Sequence, residues 1–137
     1  MSKTPQTREL LMKLEIDFYD SEIASIHQSP SDLELILDPA VLVVSSSPSA
    51  SAPHIVNTRL IIAQPKFKSL PKKGRLTDGE LYGIPGKALN GRIPVSFQFA
   101  GECELVLSGE KTDYTIHGKG IRIITDLTKL PESLQKS

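Results

Sequence analysis

The chain has no tryptophan, and aromatic residues make up only 5% of its 137 positions. With so few rings it has little material for a base-stacking platform or an aromatic cage. Its single cysteine, Cys103, excludes an intrachain disulfide, so the fold must rest on an apolar core. Net charge is also missing. The 16 basic and 16 acidic residues cancel, which argues against nucleic-acid binding by bulk positive charge. The longest unbroken apolar run, residues 40–44, falls far short of the roughly 20 residues a membrane-crossing helix needs. Residues 1–7 lack the apolar stretch of a signal peptide. Together these absences lead to the expectation of a cytoplasmic protein with no membrane partner.

What is present suits one domain over residues 1–137, because a chain of this length buries about two thirds of its open surface on folding. Residues 45–53 read Ser-Ser-Ser-Pro-Ser-Ala-Ser-Ala-Pro and offer nothing to bury, which marks a flexible loop. A short tail with a break at Pro131 ends the chain. Near the start, Leu10, Leu11 and Leu14 follow Thr4-Pro5 with helical spacing, so a short helix is expected over residues 7–14. Beyond it the period changes to two. Ile23 and Ile26 suggest a strand with a local irregularity. Leu33, Leu35 and Leu37 alternate with Glu34, and Cys103, Leu105 and Leu107 with Glu102 and Glu104. Residues 40–44 and 59–63 read as apolar strands, and Ile93, Val95, Phe97 and Phe99 as one strand with Pro94 at an edge or at its start. Asn90-Gly91 is a strong hairpin signal. Tyr114 and Ile116 are out of phase with Ile121 and Ile123, so residues 118–120 must hold either a tight turn or a glycine bulge. The expected fold is mainly β, an antiparallel sandwich or partly open barrel with a short N-terminal helix. Its core is expected to include Leu35, Leu37, Val43, Leu60, Ile62, Val95, Phe97, Leu105, Leu107, Ile116, Ile121 and Ile123.

Chemistry-bearing patterns are sparse. His27, His54, His117 and Cys103 stand singly, without the ligand spacings of a metal site. Cys103 shares a strand face with leucines and reads as a small buried hydrophobe. Gly83-Ile84-Pro85-Gly86-Lys87-Ala88 has two residues between its glycines where a phosphate loop needs four, and Ala where it needs Ser or Thr. Gly118-Lys119-Gly120 lacks the third glycine of a dinucleotide site. Carboxylate pairs such as Asp17/Asp20 and Glu102/Glu104 read as solvated faces unless a pocket assembles them. No catalytic residue, cofactor or metal is expected. The alternatives to a non-catalytic protein-binding module are a small-ligand or assembly domain with a pocket between sheets, and a hydrolase whose carboxylates converge only in space.

Charge is more informative. Residues 1–39 carry a net −5, and residues 59–92 a net +6. If the polarity survives folding it would orient a partner of complementary sign; if the two stretches are neighbours, they cancel. Two surfaces follow. The first is acidic, around Asp17, Asp20 and Glu22. Its rival is basic, formed by Lys66, Lys68, Lys72 and Lys73, and suits an acidic partner or weak nucleic-acid binding.

Residues 17–26, Asp-Phe-Tyr-Asp-Ser-Glu-Ile-Ala-Ser-Ile, followed by Leu33-Glu34-Leu35, resemble the opening of a group of small β-rich bacterial proteins. Residues 81–124, with Ile93-Pro94-Val95 ahead of Ala100-Gly101 and a closing Gly-x-Gly, are similar to the C-terminal half of the same group. Tyr19 stands where many of these proteins have His, and the Ser-rich stretch lies outside the pattern. Some members are immunity proteins of polymorphic toxin systems. The resemblance therefore implies a non-catalytic protein-binding module that neutralises a toxin domain by occluding it, with the acidic surface as the first expected contact.

Overall fold

In a computed structural model of the chain, residues 14–44, 54–86 and 89–128 are described. Eleven strands among them form one antiparallel sheet: β1 (Leu14–Asp17), β2 (Glu22–Gln28), β3 (Asp32–Val44), β4 (His54–Ala63), β5 (Gly74–Tyr82), β6 (Leu89–Asn90), β7 (Arg92–Pro94), β8 (Ser96–Phe99), β9 (Cys103–Gly109), β10 (Asp113–Gly118) and β11 (Ile121–Asp126). The main path runs β10-β9-β5-β2-β3-β4-β11-β8 and does not close. The mainly β, antiparallel class is as the alternation predicts. The helix expected at residues 7–14 lies outside the described residues except for Leu14, which opens β1 as a strand.

The longest strand shows how a bulge keeps one face buried. In β3, Leu33, Leu35 and Leu37 are buried, and then Ala40 and Leu42, so the buried phase moves from odd to even numbers. Opposite Leu37 and Ala40 on β4 stand Thr58 and Val56, so the β3 side holds one extra residue. The Asp38-Pro39 step therefore shifts the register within a continuous strand and does not end it. It also divides β3 between partners: its first half pairs with β2, its second with β1, while β4 accompanies both. Val43, expected in the core, is half-buried for the same reason, because Leu42 now points inward. A bulge between Ile23 and Ser25 likewise accounts for the spacing of Ile23 and Ile26 in β2.

Two local expectations are corrected by the pairing. Residues 93–99 are two strands, with β7 paired to β1 and β8 to β11. Pro94 is the last residue of β7, and Phe97 on the edge strand β8 is only half-buried. Asn90-Gly91 turns no hairpin. Gly91, with φ of +80°, hands the chain from β6 beside β5 to β7 beside β1. The residues around Gly118-Lys119-Gly120 form neither a β10–β11 hairpin nor a bulge. β10 pairs with β9, whereas β11 pairs with β4 and β8, and the connection crosses the end of β4. There the Lys119 amide donates to the Ala63 carbonyl and the Ala63 amide to the Gly120 carbonyl, both at 2.9 Å.

A turn at residues 18–21 locks the sheet at its centre. Phe18 is fully buried, and its amide donates to the Gly91 carbonyl at 2.9 Å. Ser21, also fully buried, donates its hydroxyl to the Asp17 carbonyl at 2.6 Å and accepts the Val41 amide at 2.9 Å. Ser21→Ala removes the acceptor and strands a partly buried N–H on β3, so it should cost about 1–3 kcal/mol. Urea unfolding of the two proteins checks this; an unchanged midpoint would show that water reaches Val41.

Candidate functional site

Among the described residues, the sheet's open path gives β10 a strand neighbour on one side only. On its other side the chain leaving β4 makes a single bridge, in which the amides of Lys66 and His117 donate to each other's carbonyls at 2.7 and 2.9 Å. Beyond Lys66 the chain diverges. Between it and β10 lies a groove of about 670 Å³, with residues 66–69 on one wall and Asp113, Tyr114, Thr115 and His117 on the other. Phe67 and Tyr114 are partly buried against the core at its base.

Backbone alternation fixes what β10 offers this groove. The Gly109 amide donates to the Thr112 carbonyl at 2.9 Å, so Thr112, Tyr114 and Ile116 direct their main-chain groups toward β9. Asp113, Thr115 and His117 direct theirs the other way. His117 is taken by Lys66. Thr115 and Asp113 open on the groove, where no strand among the described residues pairs with them. Sequence reasoning does not find this edge, since Tyr114-Thr115-Ile116 alternates as any half-buried strand would. The prolines at 65 and 71, which disfavour a strand across that interval, are the available signal.

Folding sorts the charged stretches by residue type. Arg59 pairs with Glu34 at 2.5 Å, Arg75 with Asp20, and Arg92 lies 3.7 Å from Asp17 and 3.9 Å from Glu15. Each joins the basic stretch to the acidic one. Arg75 also lies over the Tyr19 ring, 5.7 Å from its centre. The acidic candidates are thus two paired residues, Asp17 and Asp20, beside an exposed Glu22 whose cross-strand neighbour is again Arg75. Such exposed pairs are weak, but they place opposite charges together and flatten the local field. No lysine enters an ion pair among the described residues. Lys66, Lys68, Lys72 and Lys73 are all exposed. The first two flank the β10 groove. The other two flank a second groove of about 350 Å³ with Lys111, and Tyr114 lines both grooves. The two lysine pairs thus lie on grooves that share Tyr114, with Lys66 and Lys68 on the one beside the β10 edge.

The remaining candidates are dispersed. Cys103 is buried, and burial pushes its thiol pKa up while a hydrogen bond with the Gly120 backbone acts against that shift. On the outer face of β5 and β9, Tyr82 donates to Glu80, and that hydrogen bond with the surrounding carboxylates raises the phenol's pKa. His117 Nε2 lies 3.5 Å from Glu104. Among the described residues no group of three or more metal-ligating side chains forms, and no helix is long and apolar enough to cross a membrane. No protein-family model, curated protein or solved structure matches the chain.

Proposed function

We propose that the protein is a non-catalytic binding module that holds an acidic protein partner on its lysine-rich side. One observation supports this above others: Arg59, Arg75 and Arg92 face the acidic stretch, while Lys66, Lys68, Lys72 and Lys73 are exposed and enter no ion pair among the described residues. Lysine ammoniums on an open surface steer and orient a partner of opposite charge. The same side offers an open strand edge, which a protein can use and a nucleic acid cannot. The acidic surface at Asp17, Asp20 and Glu22 is the weaker contact on this reading, because Arg75 and Arg92 sit within it. Under the resemblance to immunity proteins, the partner is a toxin domain.

The test starts from capture of a partner by the full chain in lysate of its source cell, followed by affinity measurement with the purified partner. Lys66→Glu with Lys68→Glu should weaken binding at least tenfold, and Asp20→Lys with Glu22→Lys should change it less than threefold. Tighter binding at low salt is expected for both the parent protein and the acidic-surface variant. A reversed ranking of the two variants would move the contact to the acidic surface. Failure to capture any partner, or tighter binding of single-stranded DNA than of protein, would overturn the reading.

A further inference from the structure

From the geometry of the β10 edge we infer how the partner is held: an extended segment of alternating acidic and aliphatic residues adds to the sheet as a strand beside β10. This rests on the proposed lysine-side contact and goes further by naming the occupant and its backbone pairing. Thr115 and Asp113 present main-chain N–H and C=O groups to the groove, two residues apart, which is the repeat of a strand ladder. The protein itself begins that ladder, since Lys66 already occupies the position opposite His117 through two main-chain hydrogen bonds. The chain then leaves the edge at Phe67. An added strand continues from there along β10.

Side chains set the pattern of the guest. Successive residues of a strand face opposite sides. On one side of the groove the partly buried Phe67 and Tyr114 offer apolar surface. On the other stand the exposed Lys66 and Lys68. A guest strand therefore places aliphatic residues on the rings and carboxylates toward the lysines, as in other cases where a sheet edge supplies affinity and alternate side chains supply selectivity. Asp113, the one acidic residue among the described residues that line the groove, repels a carboxylate at the far end. It favours a guest whose charges cluster toward Lys66 and Lys68.

The test uses a fluorescein-labelled peptide of nine alternating Glu and Val residues and the full-length protein, read by anisotropy. Thr115→Pro removes one N–H from a position that gives nothing to β9, so the ladder with β9 is kept. Binding should fall at least tenfold in this variant and stay unchanged in Thr115→Val. A readout on the unaltered protein uses the same peptide N-methylated at alternate residues. Methylation in one phase should abolish binding, and in the other phase leave it intact. Equal binding of both methylated peptides, with loss on Lys66→Glu and Lys68→Glu, would overturn strand addition while leaving the lysine-side contact standing. Binding of neither the peptide nor a captured partner through those lysines would overturn both.

Discussion

Gly79→Ala is expected to destabilise the protein by about 3 kcal/mol, although it adds only a methyl group. A Cβ at position 79 would lie 2.5 Å from both Cγ and Cδ2 of Phe18 and 2.8 Å from Cδ1. The ring lies over the glycine and has no retreat. Phe18 is fully buried, and its amide is tied to the Gly91 carbonyl at 2.9 Å. Gly91 in turn donates its own amide to Gly79 at 2.7 Å, so the three backbones are held together. The strain should be specific to the ring. In a Phe18→Leu background, Gly79→Ala should cost at least 1 kcal/mol less than in the parent, a coupling of the size seen between residues in contact. Denaturant unfolding of the four proteins measures it. Strict additivity would mean that the backbone, and not the ring, absorbs the methyl.

The second large effect is expected at Gly118, where a Cβ would collide with Ile62 Cγ2 and meet the Ala63 carbonyl at 3.2 Å. Ile62 is a buried, β-branched residue whose χ1 is restricted, so its methyl moves only with its neighbours. Gly118→Ala should cost about 2 kcal/mol. Its effect should also be local. The adjacent His117 makes the single bridge to Lys66, and Lys119 bonds the end of β4. Amide exchange at His117 and Lys66 should therefore accelerate more than at Leu60 or Leu105, because the joint opens before the sheet does. Uniform acceleration would mean that this corner opens only with global unfolding.

The same two glycines show where sequence reasoning reaches its limit. Strands with a clean period of two were legible without any structure: Leu33, Leu35 and Leu37 in β3, Leu60 and Ile62 in β4, Leu105 and Leu107 in β9 are buried as their alternation requires. The irregular Ile23 spacing was legible as well, because a bulge leaves its signature in the numbering. Partner choice was not. Residues 93–99 alternate as one strand, yet Pro94 ends β7 beside β1 and Phe97 lies in β8 beside β11. Leu14 fits a helical stripe with Leu10 and Leu11, but pairing with Val44 draws it into β1. Asn90-Gly91 has the residues of a tight hairpin and instead serves a crossing, since Gly91's positive φ suits either.

The candidate site divides along the same line. The sequence by itself determined the mainly β class, most of the core positions and the opposed charges of its two stretches, because each depends on local period or on composition. Tertiary structure alone decided that Arg59, Arg75 and Arg92 pair with acidic residues while Lys66, Lys68, Lys72 and Lys73 enter no ion pair among the described residues. It also decided that, among the described residues, no strand pairs with β10 at Thr115. The physical reason is that a strand's faces follow from its own side chains, whereas its edges belong to whichever distant segment reaches them. At β10 the segment that reaches the edge bonds at Lys66 and then turns away at Phe67, and no periodicity within either segment encodes that meeting.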